Sequence, residues 1–287
     1  MATKRSSENG TQLAWIDGRI VAADEPGVPV LDQAFLTGMG AFETMRAEGG
    51  RVLLMDAHFA RLADAAGIFG LEVPPMDLIA KAAADLMRRQ GMDSARVRVA
   101  ASGTAAADGA PFRFSGPARM VVLAFPLGPT RATPVRMMTT DIRIHAAGPL
   151  AGRKCSSYAL HALAFDDARR HGADEALVLN HRGELCGGAV SNLFWLTKGQ
   201  LMTPDLKCGC RDGVTRERVI DACRRLGIAV REVVAKRGAL DEADEIFLTS
   251  SIRGVRRVDV LDGNRIGNAG VAKRIRDLLQ RADDILT

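Results

Sequence analysis

Pro126-Leu-Gly-Pro129-Thr-Arg-Ala-Thr-Pro134 is the stretch that most restricts how this chain folds. A proline lacks the backbone N–H and fixes φ, so neither a helix nor a central strand runs through three of them at this spacing. Residues 127–134 therefore read as a linker. It divides the 287 residues into an N-terminal domain, 13–126, and a larger C-terminal domain, 135–287. Each is long enough to enclose a core of its own. Residues 1–12 are polar and read as a flexible tail without the apolar stretch of a signal peptide.

Before the linker, Ala14–Val21 and Val28–Leu31 read as strands separated by Glu25-Pro26-Gly27. Phe42–Ala47 and Arg51–Met55 flank Gly49-Gly50 as a hairpin. Asp56 is placed to cap a helix in which His58, Phe59, Leu62, Ala65 and Ala66 recur at helical spacing. A second helix is expected over Met76–Gln90, then strands over Ala95–Ala101 and Ala118–Phe125. After the linker, Val135–Thr140, Ala176–Leu179, Asn192–Leu196 and Glu245–Thr249 read as strands. Ser156–His171, Thr215–Leu226 and Val271–Ala282 read as helices. Regular strand–helix alternation is missing, so the fold class is α+β rather than a parallel nucleotide-binding fold.

Composition narrows the function by exclusion. Lys and Arg total 39 against 34 Asp and Glu, a net charge of +5, spread along the chain with aromatics at only 5%. That reads as solvated surface, not a nucleic-acid footprint. No apolar run approaches the roughly 20 residues of a membrane helix. The five cysteines form no disulfide framework and the five histidines no HExxH. A cytoplasmic enzyme without structural metal is the expectation.

Several short motifs could carry chemistry. Gly213-Val-Thr-Arg216 opens a helix, where free N–H groups and the helix dipole suit a phosphate; Asp212 and Gly213 as plain caps are the alternative. Thr249-Ser250-Ser251 ends an apolar strand and offers small hydroxyls to the same anion, or forms an ordinary turn. Arg61, one turn from His58, either contacts phosphate or extends to solvent. Lys154 precedes the N-terminus of a helix; such a lysine beside a phosphate pocket suits Schiff-base chemistry, although most lysines are surface charges. Gly38-Met-Gly40 lacks the third glycine of a dinucleotide loop.

Taken in order, these fragments resemble the class IV aminotransferases, the pyridoxal phosphate (PLP) fold type IV of branched-chain and D-amino acid aminotransferases and aminodeoxychorismate lyase. The likeness runs through Trp15-Ile-Asp-Gly18, Val30-Leu-Asp32, Phe35-Leu-Thr-Gly38-Met-Gly-Ala-Phe42-Glu-Thr and His58-Phe-Ala-Arg61-Leu62. It resumes at Leu150-Ala-Gly-Arg-Lys154-Cys-Ser-Ser-Tyr158 and Gly172-Ala-Asp-Glu175-Ala-Leu. Ser191-Asn192-Leu-Phe194, Thr203-Pro204, Gly213-Val-Thr-Arg216 and Ala243-Asp-Glu-Ile-Phe247-Leu-Thr complete it. The resemblance implies a small N-terminal and a larger C-terminal domain, PLP in the cleft between them, and a homodimer. It implies that Lys154 carries the Schiff base. Arg61, the N–H groups of Val214 and Thr215, and Ser250 with Ser251 would hold the phosphate. Tyr158 would lie near the 3′ oxygen.

Two positions depart from the family. Gly187 stands where relatives usually have a glutamate paired with the protonated pyridine nitrogen, a carboxylate that makes the ring withdraw electrons. Glu184 is a substitute only if the loop is re-registered. Thr37 stands where many relatives have tyrosine, implying a wider or more polar substrate side. Ser250-Ser251-Ile-Arg253-Gly254-Val leans toward the aminodeoxychorismate-lyase branch, with Arg253 either meeting a substrate carboxylate or serving as a surface charge. Three readings follow: an aminotransferase moving an amino group between an amino acid and a 2-oxo acid, a lyase releasing pyruvate, or a PLP-binding protein with weak catalysis.

Overall fold

The computed structural model describes residues 12–25, 27–105, 114–128 and 134–286. Most of the expected tail and most of the expected linker lie outside the described residues. The chain separates into two compact units, Met1–Gly128 with Cys155–Ser157, and Pro129–Lys154 with Tyr158–Thr287.

The first unit holds an antiparallel six-stranded sheet in the order β2-β1-β6-β5-β3-β4. Its strands are β1 (Leu13–Ile16), β2 (Arg19–Ala22), β3 (Gly40–Glu48), β4 (Arg51–Val52), β5 (Ala95–Ala105) and β6 (Phe114–Pro126). Its helices are α1 (Gln33–Thr37), α2 (Met55–Gly67) and α3 (Met76–Arg89). The apolar stripes of α2 (Leu62, Ala65, Ala66) and α3 (Ile79, Ala82, Ala83, Leu86, Met87) pack with Met45, Val97, Val99 and Val122 of the sheet. Leu86 is fully buried; a side chain of that size contributes about 1.5–3 kcal/mol of transfer free energy.

The sequence expectation needs four corrections here, the first being that the strand expected over Arg51–Met55 is confined to Arg51–Val52, with Met55 already in α2. Ala14–Val21 is a hairpin rather than one strand, because Asp17 and Gly18 both take positive φ (46° and 94°), as a tight two-residue turn requires. Val28–Leu31 forms no strand; it leads into α1, which Asp32 caps by accepting from the N–H groups of Ala34 and Phe35. Asp56 does not cap α2. It lies in the first turn, where it complements the helix dipole, and Leu54 holds the cap position at φ 55°.

The second unit is built on a nine-stranded mixed sheet in the order β12-β11-β10-β13-β14-β7-β8-β9, with β15 paired to β14. The strands are β7 (Val135–Ile144), β8 (Glu175–Asn180), β9 (Leu185–Gly188), β10 (Asn192–Thr197), β11 (Gln200–Pro204), β12 (Val230–Val233), β13 (Glu245–Ser250), β14 (Gly254–Leu261) and β15 (Asn264–Arg265). Three helices accompany them: α4 (Ala159–Arg170), α5 (Val214–Arg225) and α6 (Val271–Leu286). β10 is apolar at successive positions because both its faces are covered. Leu193 and Trp195 enter one core, Phe194 and Leu196 another. Phe194 opposes Phe247 of β13, with ring centroids 5.0 Å apart.

α4 begins at Ala159, later than the expected Ser156, and the preceding residues show why. Cys155 bridges to Ala41 and the N–H of Ser156 donates to Gly40 O at 2.8 Å, so this segment is extended and bonded to β3. Lys154 and Tyr158 therefore flank an extended tripeptide instead of a helical turn.

Candidate active site

Tyr158 is the centre of the side-chain cluster that contains Lys154. Lys154 Nζ stands 5.5 Å from the Tyr158 ring centroid, and the imidazole of His161, one turn into α4, stacks on the ring at 4.7 Å. Arg211 reaches the ring from the loop before α5: its Cζ is 5.3 Å from the centroid and its Nη1 donates to the Tyr158 hydroxyl at 3.2 Å. That hydroxyl donates to Ala189 O at 3.3 Å. Burial lowers the His161 pKa first and the Arg211 charge adds to it; Lys154 contributes further, while a hydrogen bond with the Ala189 backbone opposes them. The outcome is about 4, so His161 is neutral at neutral pH.

The start of α5 forms the second part. Gly213 is its cap residue and provides no capping side chain. The first helical bond joins Glu217 N to Gly213 O, so the N–H groups of Val214 and Thr215 precede the helical ladder. Thr215 Oγ1 lies 3.4 Å from Ser251 Oγ, which brings the helix start to the turn after β13. Asn192 of β10 fixes the approach to this helix, donating Nδ2 to Arg211 O at 2.7 Å. Gly213 is required beside it, because a Cβ there would fall 2.0 Å from Asn192 Oδ1. Arg216, the last residue of the Gly-Val-Thr-Arg motif, is buried and bonded to Pro204 O and Glu232; it secures the fold rather than facing an anion.

Gly187 lies on β9 opposite Val178 with φ +142°, and a Cβ on it would fall 2.9 Å from Ser191 O. A glutamate at this position is thus incompatible with the present backbone, whatever its effect on a cofactor. Gly187→Ala is expected to cost about 1–3 kcal/mol, read as a lower thermal melting temperature. An unchanged melting temperature would show that the backbone relaxes freely. The Glu184 carboxylate is engaged within its own loop: Arg182 and Asn180 hydrogen-bond it and bring its pKa down to about 2.

The other sequence candidates occupy distinct places. Ser250 Oγ accepts from the N–H of Arg253 at 3.2 Å, and the exposed Arg253 places its guanidinium 5.9 Å from the Phe165 ring. In the first unit, exposed Thr37 donates Oγ1 to Gln33 O within α1. Arg61 donates Nε and Nη2 to the buried carboxylate of Glu43, at 2.6 and 2.8 Å. His58 Nδ1 lies 2.9 Å from the same carboxylate. Burial raises the Glu43 pKa, but the hydrogen bonds from His58 and Arg61 and their charges outweigh it and bring the value down to about 2.

Arg211, His161 and Glu43 carry roles that sequence reasoning did not assign. His161 follows Tyr158 by one helical turn, and Arg211 stands two residues before Gly213; both spacings are legible once Tyr158 and the α5 start are known. The donor set fits PLP. Hydroxyls and uncommitted helix N–H groups suit its phosphate, and Lys154 supplies a primary amine. His161 Nδ1, Arg211 Nε and Thr249 Oγ1 are buried without a protein partner. A carboxylate for the ring nitrogen is missing at Gly187.

Comparison with known proteins identifies the family. The model of the amino-transferase class IV family matches residues 40–261. Branched-chain-amino-acid aminotransferase of Escherichia coli K12 is 28% identical over 293 residues, spanning 96% of this chain and 93% of that one. The branched-chain aminotransferase of Thermoproteus uzoniensis, solved with norvaline, superposes with a TM-score of 0.87 at 30% identity, covering 95% and 94% of the two chains. A structure from Legionella pneumophila provisionally described as 4-amino-4-deoxychorismate lyase has a TM-score of 0.83 at 26% identity, covering 90% and 96%. The chain belongs to the class IV aminotransferases. It is a PLP-dependent enzyme of the transaminase class with the α+β architecture of fold type IV.

Proposed function

We propose that this chain transfers an amino group between an amino acid and a 2-oxo acid, holding PLP through a Schiff base on Lys154. The observation that carries this reading is the Lys154–Tyr158–Arg211 cluster in the same unit as the hydroxyl-bearing start of α5. Bound PLP supplies an electron-withdrawing ring that loosens the Cα proton of an attached amino acid.

The chain's own groups supply the rest. Val214 N, Thr215 N, Thr215 Oγ1 and Ser251 Oγ, with Ser250 and the Glu43-held Arg61, are assigned to the phosphate, where helix N–H groups favour an anion. Lys154 Nζ, once displaced by substrate, holds and moves a proton as general base. The neutral imidazole of His161 packs the Tyr158 ring without adding a charge. Gly187 and Tyr158 line the cofactor side, and Thr37 and Arg253 the substrate side. A homodimer in the cytoplasm completes the reading.

Aliphatic amino acids are the first donors to test, since the most similar relatives include branched-chain aminotransferases. Adding such donors to the PLP-loaded protein is expected to replace its visible absorption band by that of the aminated cofactor, and a 2-oxo acid to restore it. A donor panel that leaves the band untouched would overturn the aminotransferase reading. A lyase reading draws on the Legionella pneumophila structure and on Ser250-Ser251-Ile-Arg253. Pyruvate release from aminodeoxychorismate without that spectral conversion would support it.

A further inference from the structure

We propose that Glu175 is a positioning residue: its buried carboxylate holds the Gly188–Asn192 segment, and the charge on it sets how firmly that segment fixes Tyr158 and the start of α5. What this means for PLP rests on the assignment of Lys154, Tyr158 and α5 made above.

Glu175 opens β8 and is 2% exposed, so it acts only through the chain in front of it. Its Oε2 accepts from Ser191 Oγ at 3.0 Å and its Oε1 from the N–H of Ala176 at 3.2 Å. The Val190 backbone also hydrogen-bonds the carboxylate. Gly188 closes the other side: a Cβ there would strike Ser191 Oγ and lie 3.0 Å from Glu175 Cδ. The turn is tied to itself and to the sheet, with Gly188 N donating to Ser191 O at 2.9 Å and Ala189 N to Ala176 O at 3.1 Å.

The same segment carries two contacts of the candidate site. Ala189 O accepts from the Tyr158 hydroxyl at 3.3 Å. Asn192 Nδ2 donates to Arg211 O at 2.7 Å, and its Oδ1 faces Gly213, the cap residue of α5. One carboxylate thus stands behind both the tyrosine beside Lys154 and the approach to the helix start.

A carboxylate accepts hydrogen bonds more strongly than a neutral acid, and protonation turns one of its acceptor sites into a donor. Burial pushes the Glu175 carboxyl up; the Ser191 hydroxyl, the Ala176 backbone, the Arg253 charge and the Val190 backbone pull it down, and the outcome is about 7. The segment is therefore held by an anion above that pH and by a neutral acid below it. The charged groups around Glu175 are Arg253 from the β13–β14 turn, Arg256 of β14 and Asp174, its predecessor in the chain. β7 presents the apolar Met137 as its strand partner. Beyond Ala189 stand Lys154, His161 of α4 and Arg211. His161 titrates at about 4, well below this range.

Tyr158 is the single tyrosine of the chain, so isotope-labelled tyrosine gives one ring signal, placed at the site itself. In protein free of PLP, that signal is expected to shift in one step with a midpoint at about pH 7, and the step to be absent in Glu175→Gln. A signal constant through this range in wild type, or the same step in Glu175→Gln, would overturn the proposal. Ser191→Ala keeps the titrating group and removes a hydrogen bond that lowers its pKa, so the midpoint should move up by about one pH unit. An unchanged midpoint in Ser191→Ala would overturn the proposal even if Glu175→Gln does not fold.

PLP affinity provides the second readout. The ratio of PLP dissociation constants, Glu175→Gln over wild type, is expected to rise about threefold from about pH 6 to about pH 8, since the titrations of the ligand itself are common to both proteins. A ratio constant with pH would overturn the cofactor consequence of the proposal. A Glu175-dependent Tyr158 step in a protein that forms no visible band with PLP would instead remove the Lys154 reading and leave the positioning role standing, so the two failures are distinguishable.

Discussion

Lys154→Ala is expected to abolish the visible band that PLP forms with the wild-type protein and to lower transamination by about 10³-fold or more. Both losses follow from one atom. Lys154 Nζ is the primary amine beside the Tyr158 ring, and alanine supplies neither a bond to the cofactor nor a proton acceptor. The groups on α5 and the β13–β14 turn proposed to hold the phosphate stay in place, so PLP itself should still bind noncovalently. Borohydride reduction of the wild-type complex followed by peptide mapping is the direct check. Label on a lysine other than Lys154, or a band that survives in Lys154→Ala, would refute the assignment. Addition of a small primary amine should partly restore activity to the variant, because a diffusible amine can supply the missing base.

The second large effect lies in the first unit. Glu43→Ala is expected to destabilise the protein by about 3–5 kcal/mol, the usual result of removing one partner from a buried ion pair. Glu43 is 1% exposed and its carboxylate pairs with both Arg61 and His58. The same contacts depress its pKa from 4.5 to about 2. A depressed carboxylate stabilises the fold above its unfolded pKa, and that contribution disappears as pH falls through the folded one. The window is therefore pH 4.5 down to about 2, and the linked contribution at neutral pH is about 3 kcal/mol. Denaturant unfolding of wild type and Glu43→Gln across this range should show a stability difference that shrinks toward pH 2. A difference constant with pH would mean that Glu43 acts through packing alone.

Periodicity made most long elements legible, but not β14, where Arg256, Arg257 and Asp259 break up the apolar residues. α3 was placed within one residue of its ends because Ile79, Ala82, Ala83 and Leu86 mark a single buried stripe. β10 was recognisable as buried because no polar residue interrupts Leu193–Leu196. Short elements were not legible. β9, β11 and β12 have four or five residues each, too few for a pattern, and exist because long-range neighbours supply their hydrogen bonds. The hairpin of β1 and β2 was legible in Asp17-Gly18, a tight-turn pair that the expectation of one continuous strand over Ala14–Val21 passed over.

The sequence alone determined the α+β class and the family, and it pointed to Lys154 as the proposed Schiff-base lysine. Each depends on residue types in a fixed order, and order along a chain is what a sequence records. Tertiary structure decided what the lysine's surroundings are. Arg211 reaches Tyr158 across 53 positions of sequence, and Glu43 reaches Arg61 from a strand to a helix. Gly187 changed most in meaning: in the sequence it is a missing carboxylate, whereas in the fold it is a backbone position at φ +142° with a carbonyl where a side chain would begin. Such contacts depend on how strands and loops fold back on one another, which no local pattern of residues encodes.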